Sequence, residues 1–119
     1  VTFVMDHHAK PNVKDHLLNP WREQMKEFAA LPNTFCKLSG LVTEADFENW
    51  TIDDLRPYTD HVVECFGFDR LMFGGDWPVA SQATDYPRWV DTLDEMLNGC
   101  TPDELHKVYV RNAEAFYRI

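Results

Sequence analysis

The sequence predicts an α/β fold in which parallel strands are joined by helical crossovers. Three observations carry this. The runs Val1–Met5, Phe35–Leu38 and Leu71–Phe73 are short, rich in Val, Phe, Leu or Met, and lack clean polar alternation, as in strands buried on both faces. Their starts lie about 35 residues apart, the size of a βα unit. The segments between and after them carry apolar residues at helical spacing, with readable ends.

The elements follow in order. After the first run, Asn19-Pro20 reads as an N-cap with proline at the first helical position. Trp21, Met25, Phe28 and Ala29 then line one helical face, and Pro32 stops it. After the second run, Thr51 and Asp54 have the spacing of a capping box. Leu55, Tyr58, Val62 and Phe66 continue at helical spacing to Gly67, a natural stop. After the third run, Asp85 precedes a helix with Trp89, Val90, Leu93 and Leu97 inward, closed by Gly99. The "TPDE" of Thr101–Glu104 combines a cap, a first-turn proline and a box acid. It opens one last helix, with Leu105, Val108, Tyr109 and Phe116 inward.

The order β-α-β-α-β-α-α implies an α/β layer or a barrel. Three strands would leave two open edges and an unfilled face. A (βα)8 barrel needs about 250 residues, and 119 residues supply a little under half of one. The chain opens on "VTFV", without a methionine and directly on a strand-like run, so further sequence upstream is expected. Residues 1–119 then form a single partial domain.

Composition narrows the partners. A net charge of −9 and a pI of about 4.8 argue against nucleic acid or an anionic membrane surface, since phosphates repel such a surface. No run of roughly 18 apolar residues exists, and no basic-then-apolar leader pattern is visible. The three cysteines, Cys36, Cys65 and Cys100, are widely spaced without a CxxC, which fits reduced thiols and a cytoplasmic setting better than a disulfide framework or a zinc ribbon.

In parallel α/β sheets, ligands gather at the C-terminal ends of the strands. Asp6, His7, His8, Lys10 and Pro11 follow the first run, Lys37, Ser39 and Gly40 lie in or after the second, and Asp76 and Trp77 follow the third. A carboxylate can take a proton from water or bind a metal. A histidine can orient water or a carbonyl, and a lysine can polarise an oxygen. Each residue also has a plainer reading. Asp76 could cap a turn after Gly74-Gly75, and His7 could be a satisfied core histidine with His8 beside it. Lysine is almost never buried alone, so an inward Lys37 needs an anion. Ser39 has no nearby histidine in sequence and no GxSxG around it, so it is not read as a nucleophile. His16, His61 and His106 read as surface or helix positions. Trp50 and Trp77 fall in loops on the rim side, unlike the tryptophans at helical core spacing.

Together, "VMDHHAKP", "CKLSGL", "FGFDRLMFGGDWPV" and "NAEAFYRI" resemble the amidohydrolase-2 group of the amidohydrolase superfamily. Within it they resemble the sugar-lactonase branch of L-fuconolactonase and L-rhamnono-lactonase-like proteins. The resemblance spans nearly the whole chain. It implies a distorted (βα)8 TIM barrel, of which this chain is the C-terminal portion of about three βα units and a closing helix. It also implies a small-molecule substrate, a sugar lactone or related carboxylate, and allows a homo-oligomer.

By that resemblance the catalytic residues are Asp76, His7 and Lys37, with Asp76 as base for the hydrolytic water. Lys10, Trp50 and Trp77 are placed as substrate-binding. No cofactor is firmly implied. A single divalent metal such as zinc is possible in a full-length parent, with His7 and Asp76 as its ligands in this chain. Two departures stand out. Gly75 occupies a position where the family often has serine, which could loosen how Asp76 is held, and His8 stands where an apolar residue is more usual. The family's first-strand His-x-His pair lies outside these residues, so the site is expected to be incomplete here. A metal-dependent amide hydrolase or decarboxylase of the same superfamily, and a fragment inactive alone, remain alternatives.

Overall fold

A computed structural model describes residues 1–119. Its centre is a three-stranded parallel sheet of order β1-β2-β3, with β1 at Phe3–Met5, β2 at Thr34–Leu38 and β3 at Leu71–Phe73. The register sets Met5 beside Cys36 and Cys36 beside Leu71. All three strands therefore end at the same edge, and the chain leaves each of them on one rim.

Helix α1 (Trp21–Ala29), α2 (Ile52–Phe66) and α3 (Tyr86–Met96) supply the main core together with the sheet. Trp21, Met25, Leu55, Tyr58, Val62, Trp89 and Leu93 are buried in one cluster with Cys36, Leu38 and Leu71. The expectation of strands buried on both faces needs correction. Along β2, Thr34, Cys36 and Leu38 are buried while Phe35 and Lys37 are only half-buried. In β1, Phe3 is 53% exposed. The apolar run is thus continuous in sequence, but only one face meets the main helical layer.

The helix ends show which local signals act. Asp85 caps α3 by accepting the Arg88 amide at 2.8 Å. Asp54 accepts the Thr51 amide at 2.8 Å ahead of α2. Gly67 closes α2 at φ +67°, its amide donating to Val63 O, in the left-handed region where glycine carries no Cβ penalty. Helix α1 differs from expectation. It begins at Trp21 with Pro20 in the cap position and no side-chain cap, because Pro20 has neither an amide to be capped nor a side chain that can accept.

The last helix is also not uniform. Thr101 and Glu104 satisfy each other's amides in a full capping box, opening α4 (Pro102–His106). A π-helical turn over Lys107–Arg111 then links α4 to α5 (Asn112–Tyr117). The Asn112 side chain donates to Phe68 O at 2.6 Å and Leu71 O at 2.9 Å. It ties this helical run to the start of β3. Helix α5 then crosses the less covered sheet face, where Phe116 meets Phe35 edge-on at 5.1 Å. No helix is long and apolar enough to cross a membrane.

Candidate active site

Three strand ends supply the site, and parallel pairing brings them to one rim. His7 stands two residues past β1, Ser39 one past β2 and Asp76 three past β3. The His7 Nδ1 lies 2.7 Å from Ser39 Oγ, and His7 Nε2 lies 3.5 Å from Asp76 Oδ1. His7 and Asp76 come from strands separated by β2, a span of about two strand spacings, or roughly 10 Å. They meet because the β2 end carries small residues. A Cβ added at Gly40 would sit 2.8 Å from Asp76 Oδ2 and 2.9 Å from the His7 ring. One added at Gly74 would sit 2.7 Å from Ser39 Cβ.

The backbone around the site is bent against its preference. Residues His7, His8, Ala9 and Lys10 all have φ between +50° and +58°, a left-handed turn without a glycine. Asp76 is left-handed too, at φ +52°. Such conformations disfavour L-residues with a Cβ, and they cluster at functional sites. Asp76 meets both the following turn and His7. Its carbonyl accepts the Ala80 amide at 2.8 Å and closes the following turn, while its carboxylate, 14% exposed, faces His7.

His8 holds this turn from beneath and is fully buried. Its Nδ1 lies 3.2 Å from Ser39 O, its Nε2 lies 3.3 Å from Thr59 Oγ1, and its carbonyl accepts the Trp21 indole N–H at 2.7 Å. Burial lowers its pKa to about 4, so it is a neutral, structural histidine at pH 7. Burial likewise pushes the Cys36 thiol up to about 12. All three cysteines are free.

The anion that Lys37 requires is Asp6, whose Oδ1 lies 3.1 Å from its Nζ. The Tyr117 hydroxyl, and then Asp6, raise the Lys37 pKa, which keeps its charge. No direct contact joins Lys37 to the His7–Asp76 pair. Lys10 is exposed on the rim, beside a groove lined also by Lys14, Thr43 and Phe47. Trp77 stands out at 80% exposed beside Asp76. Trp50 does not join them. It is 5% exposed in the core, donates its indole N–H to Ala83 O at 2.8 Å, and lies under the Arg88 guanidinium. Its loop position in the sequence hides this burial.

Gly75 is not loose either. A Cβ there would meet the Tyr86 ring at 2.8 Å, so the turn is packed rather than slack. Ser39, not read as a nucleophile from the sequence, is the side-chain neighbour of His7. Its signal was present in "LSG", a small polar residue at a strand end before glycine. Its histidine partner, however, lies 32 positions away and becomes a neighbour only through strand pairing.

As a metal site, this arrangement is short of donors. No group of three or more His, Cys, Asp or Glu side chains converges, and a catalytic zinc takes about three protein ligands. Only His7 and Asp76 face each other, and Ser39 occupies the second nitrogen of His7. The residues of this chain do not by themselves fit a metal.

Comparisons with known proteins bear on the fold and the family. The model of the amidohydrolase family matches residues 1–119. An L-fucono-1,5-lactonase of Burkholderia ambifaria is 39% identical over 120 residues, covering 98% of this chain and 41% of that protein. An L-fucono-1,5-lactonase of Burkholderia multivorans is 46% identical over 92 residues, covering 70% of this chain and 31% of that protein. A crystal structure of an amidohydrolase from Burkholderia multivorans with bound zinc superposes with a TM-score of 0.94 at 34% identity, covering 99% of this chain and 44% of that one. A putative 2-pyrone-4,6-dicarboxylic acid hydrolase from Pseudomonas putida shares the fold, with a TM-score of 0.78 at 19% identity over 99% of this chain and 43% of that one. The chain spans less than half the length of these relatives. From the full-length family match and these identities, the chain belongs to the amidohydrolase family.

Proposed function

We propose that this chain is the C-terminal portion of a (βα)8 barrel hydrolase that opens a sugar-acid lactone with a water activated by Asp76. The observation that carries the reading is the Asp76 carboxylate facing His7 across the strand ends at 3.5 Å. The two L-fucono-1,5-lactonases similar to it support the substrate class.

The placement of Asp76 beside His7 supports the following chemistry. Asp76 takes a proton from water as the water oxygen bonds to the lactone carbonyl carbon. His7, beside Asp76, supplies positive character to the oxyanion that forms, and Lys37, tied to Asp6 on the next strand, is assigned the same role only once substrate bridges the gap to it. As the intermediate collapses, the ring C–O bond breaks and the departing oxygen takes the proton held by Asp76. The product is a ring-opened hydroxy acid, and Asp76 is a carboxylate again. Lys10 and Trp77 extend from the same rim and bind the sugar portion.

The test is lactone hydrolysis by the full-length protein that carries this chain and by its Asp76→Asn variant. Loss of turnover on the order of 100-fold or more is expected when a general base is removed. Undiminished activity in the variant would sink the assignment. A metal-dependent reaction is the second reading, favoured by the zinc in the related Burkholderia multivorans structure. Metal analysis of the purified full-length protein separates the two.

A further inference from the structure

We propose that Ser39 is a positioning residue that holds the adjacent histidines His7 and His8 in opposite tautomers, its carbonyl setting that of His8 and its hydroxyl satisfying the nitrogen of His7 that Asp76 leaves bare. The inference deepens the lactonase reading at the same site, but its main readout needs no turnover.

Ser39 is 1% exposed at the end of β2, so its hydroxyl is shielded from solvent. Its side chain and its main chain each hold one histidine. Ser39 O is a carbonyl and can only accept, so His8 Nδ1, 3.2 Å away, carries a proton. His8 Nε2 is then bare and accepts the Thr59 hydroxyl at 3.3 Å. His7 is the reverse case. A bare Nε2 would set a lone pair 3.5 Å from the Asp76 carboxylate, two negative ends facing each other. With the proton on Nε2, that contact becomes attractive. His7 Nδ1 is then bare, and the Ser39 hydroxyl donates to it at 2.7 Å. In this arrangement every proton meets an acceptor, as buried polar groups require.

The consequence concerns what His7 can do. Held as the Nε2–H form, it donates to Asp76 and steers that carboxylate. It is not a second base. A metal at Nε2 would take the lone pair there and force the proton to Nδ1, the opposite tautomer. Once Asp76 takes the proton from water, the Nε2–H is free to turn to the developing oxyanion.

The experiment is nitrogen NMR of the imidazole rings in the full-length protein labelled with 15N-histidine. His7 is assigned by the signals lost in His7→Gln, and His8 by those lost in His8→Gln. The expected result at neutral pH is a protonated Nε2 with bare Nδ1 in His7, and the reverse in His8. Ser39→Ala is expected to leave both tautomers in place, because the Asp76 carboxylate and the Ser39 carbonyl remain, while the His7 Nδ1 signal shifts as it loses its hydrogen-bond donor and His8 stays unchanged. That unchanged His8 reports that the variant is folded. Ser39→Ala also lowers kcat about five- to tenfold with KM little changed, the scale of one lost neutral hydrogen bond, and Ser39→Cys recovers part of it. A proton on His7 Nδ1 in the unsubstituted protein overturns the proposal, as does a His7 Nδ1 signal indifferent to Ser39→Ala. If Ser39→Ala does not fold, the unsubstituted spectrum alone decides. A full-length protein without lactone hydrolysis overturns the proposed function, and the spectrum still decides the role of Ser39.

Discussion

Gly40 and Asp76 come so close that a single added methyl at Gly40 would stand 2.8 Å from the Asp76 carboxylate. Gly40 is also left-handed, at φ +64°. Gly40→Ala therefore meets two obstacles, the αL backbone and the carboxylate. The expected outcome is a loss of about 1–2 kcal/mol in stability from the backbone. Activity should fall on the order of 100-fold, the usual effect of displacing a reacting group by about an ångström. Chemical denaturation and lactone turnover measure the two separately. Full activity in Gly40→Ala would mean that Asp76 is not held where the structure places it.

His8 predicts an acid-labile step in stability. Its folded pKa is lowered to about 4 by burial, against about 6.5 in an unfolded chain. Between those values the unfolded chain binds more protons than the folded one. This contribution is thus fully present above about pH 6.5 and is lost as pH falls towards 4. Its ceiling is about 3 kcal/mol, since one pKa unit corresponds to about 1.4 kcal/mol. Urea midpoints between pH 4 and 7 test it. In His8→Gln that portion of the pH slope should disappear, and a slope identical to that of the parent protein contradicts the assignment.

Gly75→Ser introduces a side chain at a turn where Tyr86 already fills the space. The Cβ would lie 2.8 Å from Tyr86 Cε2, but Tyr86 is 54% exposed and its ring has room to swing outward. A cost of about 1 kcal/mol is expected. A double-mutant cycle with Tyr86→Ala should remove most of it. Additive effects in that cycle would show that the Tyr86 ring is not the obstacle.

Asn112→Ala removes both side-chain hydrogen bonds that tie the final helical run to Phe68 O and Leu71 O. Two carbonyls lose their partner at once, so destabilisation of about 2–3 kcal/mol is expected. Thermal unfolding is the readout. Asn112 lies at the start of β3 while Asp76 lies past its other end, so KM should change little in protein that remains folded.

The strand runs, the helix faces and the three chemistry-bearing strand ends were legible in the sequence because each is a local pattern. Phe66 with Gly67, and Thr101 with Glu104, announce helix ends within a few residues of themselves. The site was legible only in outline. Strand ends could be listed from the sequence, but which side chains touch depends on pairing over about 30 residues and on small groups such as Gly40 and Gly74. That is why Ser39 was set aside and Trp50 was expected on the rim. Trp50 lies in a loop, and its burial depends on Ala83 and Arg88, more than 30 positions on. Lys37 gave half of its answer. The need for an anion followed from lysine chemistry, whereas the identity of Asp6 followed from the pairing of β1 with β2.

The turn from His7 to Lys10 sets foldedness and catalysis against each other. At Ala9, φ +58°, glycine would relieve a backbone penalty of about 1–2 kcal/mol, offset in part by the greater freedom of the unfolded chain. Ala9→Gly is therefore expected to melt higher by a small margin, yet to turn over lactone more slowly, because the same freedom lets His7 wander from Asp76. Laboratory selection for heat resistance alone would drift towards glycine here, and selection for turnover would keep the chain wound the wrong way.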